Sequence, residues 1–294
     1  MPIRSKFLLS LFIALFSFSC TEKEEVIIID TPYGQMAAVL FDDTPIHKEN
    51  FLKLAEAGKY DSVQFHRVIS EFMIQTGDLA TGKEDTDARY TLAAEFVPQK
   101  YIHRKGALAA ARRGDSGNPE KRSSGSQFYI VQGKTFDDEG LKERADRRQY
   151  LKLYGFFDRM LKSKRFPELT EKYYYHVNKY EEDSTYDFNA AQKELIFNSL
   201  PIIEKRYGPQ ADPGYSDWAR GIYATEGGAP HLDGEYTVFG QVISGLEIID
   251  KIAEVDTDDA DRPLNEVRMQ VTVLKMTKDE IEQSYNYKYP TLEE

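Results

Sequence analysis

The chain has 294 residues, a formal net charge of −11, and 41 % apolar against 30 % charged residues. That balance supports a packed core and excludes wholesale disorder, and the negative field disfavours nucleic acid as a principal partner. A single cysteine excludes an internal disulfide framework and a cysteine zinc cluster.

Arg4 and Lys6 precede an apolar run from Phe7 to Phe18. A basic start followed by about a dozen apolar residues is the layout of an export signal, and the run falls short of the roughly 20 residues that cross a bilayer. Cys20 stands where a signal peptidase would cut, after the small Ser19. The segment resembles a bacterial lipoprotein signal, although Ser17 occupies a position where that motif prefers leucine. The expectation is a signal over 1–19, a lipid on Cys20 and a tether over 20–32. That layout places an exported protein at the periplasm or cell surface, lipid-anchored to an envelope membrane.

Met36 to Phe41 reads as a strand buried on both faces. Thr44-Pro45 reads as a helix start, with threonine as cap and proline in the first turn. Phe51, Leu54 and Ala55 share one helical face, and Gly58 ends the helix. Val63 to Gln75 gives two short extended stretches. Gly106 to Ala111, Gln127 to Val131, Thr237 to Val242 and Val267 to Lys275 give further strands. A second helix is marked by Leu246, Ile249 and Ile252.

Between these blocks, residues 138–229 lack strand alternation. Tyr150, Leu153, Tyr154, Phe157, Met160 and Leu161 follow helical spacing, as do Leu169, Tyr173, Val177 and Tyr180. Phe188, Ala191 and Leu195 mark a third helix, and Pro201 and Gly208-Pro209 read as breakers. So long a segment is a helical insertion, not a bare loop. It is expected to act as a clamp on unfolded chains or as a structural hairpin packed on the β-rich body.

The most specific stretch runs Phe65-His66-Arg67-Val68-Ile69-Ser70-Glu71-Phe72-Met73-Ile74-Gln75-Thr76-Gly77-Asp78. Gly125-Ser126-Gln127-Phe128-Tyr129-Ile130 follows, and then Leu232-Asp233-Gly234 leading into Val238-Phe239-Gly240. These three blocks, in this order, resemble the signature of the cyclophilin family of peptidyl-prolyl cis–trans isomerases. The resemblance covers 33–137 and 230–277. It implies a mainly β fold, a closed eight-stranded antiparallel barrel with two capping helices, interrupted by the α-helical subdomain 138–229 and followed by a tail over 278–294.

The residues suit that reaction. Rotation about an X–Pro bond faces ~18–20 kcal/mol because the C–N bond has double-bond character. No bond breaks, so neither a nucleophile, a metal nor a cofactor is called for. The catalyst must grip the proline ring and favour the twisted amide, whose nitrogen then accepts a hydrogen bond. A guanidinium in a partly dry groove is a suitable donor, and Arg67 is the candidate. Strand alternation sets His66 on the opposite face from Arg67 as an internal, structural histidine. Met73 and Gln75 share a face. By resemblance, Phe72, Met73, Tyr129 and Leu232 line the proline pocket and Gln75 bonds the peptide backbone. Gln127 shapes the groove floor, and the backbone at Ala111 and Arg112 pairs with an extended substrate.

Some positions depart from the family pattern. Thr76 replaces a glycine, Tyr129 a phenylalanine and Arg112 an asparagine, and six extra residues lengthen the loop between Gly114 and Gly125. His231 replaces the tryptophan that contacts cyclosporin, and Tyr236 replaces a frequent groove histidine. Weak cyclosporin binding is therefore expected. The acidic run Asp256, Asp258, Asp259 and Asp261 lacks calcium-loop spacing and reads as a solvated turn. The function expected is assistance to folding of exported, proline-containing polypeptides. The alternative is a peptide-holding module with little turnover.

Overall fold

The computed structural model describes residues 23–79, 90–163 and 165–288. The signal over 1–19 and the lipidation expected at Cys20 lie outside the described residues.

The chain begins its sheet at once. Strand β1 (Lys23–Thr31) pairs antiparallel with β2 (Gly34–Leu40) and with β10 (Arg268–Thr277). Residues 23–31 are thus a strand and not the expected tether. Val26-Ile27-Ile28-Ile29 is an unbroken apolar, β-branched run, which is stable only when both faces of a strand are covered. Ile27 and Ile29 enter the barrel core, while Val26 and Ile28 enter an outer cluster with Ala37, Val39 and Ile281. Ile281 belongs to helix α8 (Lys278–Tyr285), so the first part of the expected tail is helix. A reciprocal capping box of Thr277 and Glu280 starts it.

Helix α1 (Pro45–Glu56) has proline in its first turn as expected, but Thr44 does not cap it. The Thr44 hydroxyl donates to the Phe41 carbonyl at 3.2 Å. Glu95 instead accepts from the amides of Ile46 (3.1 Å) and His47 (3.0 Å), bringing a carboxylate to the positive end of the helix. Phe51 of α1 packs against Tyr60, Phe128 and Phe239 with ring centroids 5.1–5.6 Å apart. Helix α7 (Leu246–Ala253) adds Ile248, Ile249 and Ile252 to the same core.

The short strands are β3 (Val63–Gln64), β4 (Arg67–Ile69), β5 (Met73–Thr76) and β6 (Thr91–Leu92). The longer ones are β7 (Ala107–Arg112), β8 (Ser123–Val131) and β9 (Val238–Ser244). The sheet order is β3-β10-β1-β2-β9-β7-β8-β5-β4, with β6 on β8. This corrects the expected closed barrel of eight strands: among the described residues the sheet has ten strands and is open, because its edge strands β3 and β4 do not pair. The physical reason is that the same backbone supplies both edges. Phe65 donates its amide to Val267 (2.8 Å) and His66 to Gln75 (3.1 Å), so the chain crosses the gap instead of laddering across it.

Among its described residues the insertion holds five helices where three were expected. They are α2 (Asp138–Lys162), α3 (Pro167–Glu182), α4 (Phe188–Asn198), α5 (Leu200–Tyr207) and α6 (Asp217–Thr225). Pro201 lies in the first turn of α5, where a missing N–H costs nothing, so it opens a helix instead of breaking one. Leu153, Phe157, Met160, Leu169, Leu195, Ile196 and Ile203 form the insertion's own core. Its two ends meet again: Lys134 bridges Gly228, and a Cβ on Gly133 would lie 2.3 Å from the Gly228 Cα. Only glycine permits that approach. A small cluster of Ile102, Leu141, Ala219 and Tyr223 seats the insertion on the barrel.

Candidate active site

Ladder register assembles the site. Arg67 on β4 pairs with Gln75 on β5, Gln75 pairs with Tyr129 on β8, and Tyr129 pairs with Ala109 on β7. Directly paired residues point to one face, so Arg67, Gln75 and Tyr129 form a row across three strands. Ile69 pairs with Met73, two residues along β5 from Gln75, which puts Met73 on the same face. The row borders a groove of about 760 Å³. Phe72, Met73, Ala111, Tyr129 and Leu232 give it an apolar wall; Arg67, Gln75, Arg112, Gln127 and Tyr236 give it polar groups.

The apolar side is anchored in a second core. Met73, Ala111, Tyr129 and Leu232 are buried there with Ala109 and Val238, and Phe72 and Tyr236 pack against them. The Tyr129 hydroxyl is buried within this cluster, not at the pocket rim, and burial pushes its pKa up. His231 is not among the groove-lining residues. Its ring leans on Phe72 at 5.3 Å between centroids, so it backs the wall from behind. Desolvation beside Phe72, with the nearby Arg144 cation, lowers the His231 pKa, although the residue is exposed to solvent.

Arg67 donates Nε–H to Asp261 Oδ2 at 3.1 Å, and each side chain is a little over 40 % exposed. Asp261 comes from the acidic run read as a solvated turn. Asp258 organises that turn, accepting from the amides of Ala260 and Arg262 at 2.9 Å each. The Asp261 backbone, at φ 62°, accepts the Val68 amide at 2.8 Å. Asp261 thus meets β4 twice, fixing the backbone beside Arg67 and aiming its guanidinium. Sequence reasoning missed this because the two residues lie 194 positions apart.

Gln75 Nε2 donates to Gln127 Oε1 at 3.2 Å and lies 3.2 Å from His66 Nε2. Its carbonyl oxygen is left as the group to offer a peptide N–H. His66 is accordingly not on the opposite face, because Phe65-His66 is a break between strands where alternation lapses. Burial lowers its pKa, which keeps the ring neutral beside the amide. Arg112 is spent within the protein: Nε donates to the Glu235 carbonyl at 2.8 Å, its other nitrogens meet Asp115 and Glu235, and the group lies over Tyr236. Thr76 tolerates its replacement of glycine because the positive φ falls on Gly77, while its hydroxyl donates to the Gln64 carbonyl at 2.9 Å.

No described residue of 138–229 lines the groove, but the insertion reaches its wall. Arg148 on α2 binds Asp212 and donates to the Tyr215 hydroxyl at 3.1 Å. That hydroxyl donates to the Pro230 carbonyl at 2.9 Å. On α6, Tyr223 donates to Asp233 at 2.6 Å. Both contacts hold the 3₁₀ turn Pro230–Leu232 that carries the pocket residue Leu232.

The described groove thus sets an apolar notch beside a guanidinium and a carboxamide on an open antiparallel sheet. The chain belongs to the cyclophilin-type peptidyl-prolyl cis–trans isomerases: the family model described as cyclophilin type peptidyl-prolyl cis-trans isomerase/CLD matches residues 26–148 and 221–273. The match begins inside β1, in keeping with that strand's place in the barrel. A provisionally named bifunctional phosphatase/peptidyl-prolyl cis–trans isomerase of Streptococcus pyogenes is 30 % identical over 82 % of this chain, which spans only 37 % of that protein's length. A provisionally named peptidyl-prolyl cis–trans isomerase of Staphylococcus epidermidis is 27 % identical over 84 % of this chain and 89 % of its own length. Among solved structures, a cyclophilin-type isomerase of Cryptosporidium parvum is 18 % identical, with a TM-score of 0.48, covering 86 % of this chain and 98 % of that one.

Proposed function

We propose that this isomerase turns X–Pro bonds by non-covalent catalysis, with Arg67 as the donor to the prolyl nitrogen. The observation that carries the reading is the single groove in which Arg67 and Gln75 are cross-strand neighbours beside the notch of Phe72, Met73, Tyr129 and Leu232. The notch takes the proline ring. Gln75 fixes the adjoining peptide through its carboxamide oxygen. As the amide twists, the nitrogen lone pair localises and accepts from the Arg67 guanidinium, an interaction absent from both planar forms. It therefore lowers the barrier without tightening either ground state. A protease-coupled assay on a proline tetrapeptide tests this: wild type should exceed the solvent rate clearly and Arg67→Ala should not. A wild type no faster than solvent would favour the peptide-holding alternative.

The substrates proposed are unfolded, proline-containing exported polypeptides, met outside the cytoplasm by a protein anchored through lipid on Cys20. The support is the order Arg4, Lys6, apolar run, Ser19-Cys20. Cys20→Ser should move the protein from the membrane to the soluble fraction; unchanged fractionation rules the anchor out. Cyclosporin is proposed to bind weakly, because His231 backs Phe72 and offers the drug no indole. Tight stoichiometric inhibition in a titration would show otherwise.

A further inference from the structure

We propose that the groove selects polypeptides with an acidic side chain close to the isomerised proline, bound by Arg113 and Arg122. The inference rests on the isomerase reading of the same groove. The protein carries −11 overall, yet the described residues lining this groove include Arg67, Arg112, Arg113 and Arg122 against one carboxylate, Asp78. Positive side chains thus predominate among the described lining residues of a negatively charged protein, and a concave wall dominated by one sign raises the local concentration of the opposite sign.

The four arginines are not equivalent. Arg67 and Arg112 already face Asp261, Asp115 and Glu235. Arg113 has no ion pair or side-chain hydrogen bond among the described residues. Arg122 is held by neutral acceptors: Nε donates to Thr91 Oγ1 at 2.8 Å and Nη2 to the Thr91 carbonyl at 2.9 Å. Among the described residues its one ion pair is a long one, from Nη1 to the exposed Glu120 at 4.0 Å. Anchoring through uncharged groups fixes the guanidinium, whose charge meets only that long, solvent-exposed partner among the described residues.

Asn118 sets the two arginines at the neck of the lengthened loop. Its Nδ2 donates to the carbonyls of Arg122 (2.8 Å) and Arg113 (3.4 Å), and its Oδ1 accepts the Arg122 amide at 2.9 Å. One side chain therefore ties both arginine backbones together, and Gly117 and Asn118 themselves line the groove. The extra loop residues build a cationic extension to the peptide site. A carboxylate projecting from a bound extended chain is the group that it fits.

The test uses the full chain and a family of proline peptides carrying Glu, Gln or Lys at one position, moved through the three positions on either side of proline. At low salt one register should give kcat/KM about five- to tenfold higher for Glu than for Lys, the span of one to two exposed ion pairs. The ratio should shrink in high salt and fall toward one in the Arg113→Gln/Arg122→Gln double variant, while the Arg113→Lys/Arg122→Lys variant keeps part of it. A ratio near one at every register, with the Gln peptide turned over normally, overturns the inference and leaves the isomerase reading standing. Fluorescence anisotropy with labelled peptides separates the two readings further. Glu-selective binding without turnover would overturn the isomerase reading and support the acidic preference.

Discussion

The role proposed for Arg67 requires it to be charged, correctly aimed and close to the notch, and each condition has a separate cause. The charge is intrinsic to guanidinium, the aim comes from Asp261, and the placement comes from pairing with Gln75. Arg67→Ala is expected to lower kcat/KM by about 10²–10³-fold, the usual loss when one transition-state donor is removed. Arg67→Lys should recover little, since an ammonium cannot hold Asp261 and reach the prolyl nitrogen as a planar fork does. Asp261→Asn keeps a hydrogen-bond acceptor but removes the ion pair, so kcat should fall several-fold with KM nearly unchanged. A kinetic split in which only KM moves would argue that Asp261 shapes binding and not the donor.

At the scale of elements, the insertion is bound to the pocket wall by Asp212, Arg148, Tyr215 and the Pro230 carbonyl. Arg148 is strongly held as a cation by Asp212, and that contact, aided by the Gly214 amide, outweighs burial to hold the Asp212 carboxyl below its ordinary range. Tyr215→Phe removes the hydroxyl and keeps the ring. Losing a hydrogen bond of ~1 kcal/mol to the wall should raise KM about fivefold with little change in kcat, and should relax discrimination between proline and the larger pipecolate ring. Unchanged ring discrimination would separate the insertion from the pocket. Deleting 138–229 should accordingly reduce turnover of small peptides as well as proteins. Helix α8 makes a simpler case: Ile281 is fully buried on the outer face of β1 and β2, so Ile281→Ala should cost ~2–4 kcal/mol of stability in denaturant melts.

Over the whole molecule, acid should act first through histidine. His47, His66 and His231 all titrate below the ordinary histidine value of 6.5, desolvation being the leading cause for each. Between pH 6.5 and those lower values the unfolded chain binds more protons than the folded one, so stability falls as pH falls through that window. Below 3.8 the depressed carboxyls Asp43 and Asp212 extend the loss. Thermal melts should show Tm declining steadily from pH 7 to pH 4, led by the buried His47. Equal Tm values at pH 7 and pH 4.5 would contradict this account.

Local pattern sufficed wherever a residue's neighbours in sequence settle its environment. Alternation placed Met73 and Gln75 on one face, and helical spacing found α1, α2, α3, α4 and α7, whereas the block around Phe65 to Asp78 pointed to a groove only through its resemblance to the cyclophilin signature. It failed at breaks in regular structure, as at His66, and where a proline opens a helix, as at Pro201. It also failed for Val26 to Ile29, whose apolar run became a strand only once β10 and α8 covered it from the far end of the chain. Pairings across long separations were decided by the tertiary structure alone: Asp261 on Arg67, Glu95 on the start of α1, Tyr215 on Pro230, and Arg122 on Thr91. Sequence periodicity fixes which side of an element a residue occupies, but which distant residue meets it depends on how the whole sheet curls and how the chain returns to it.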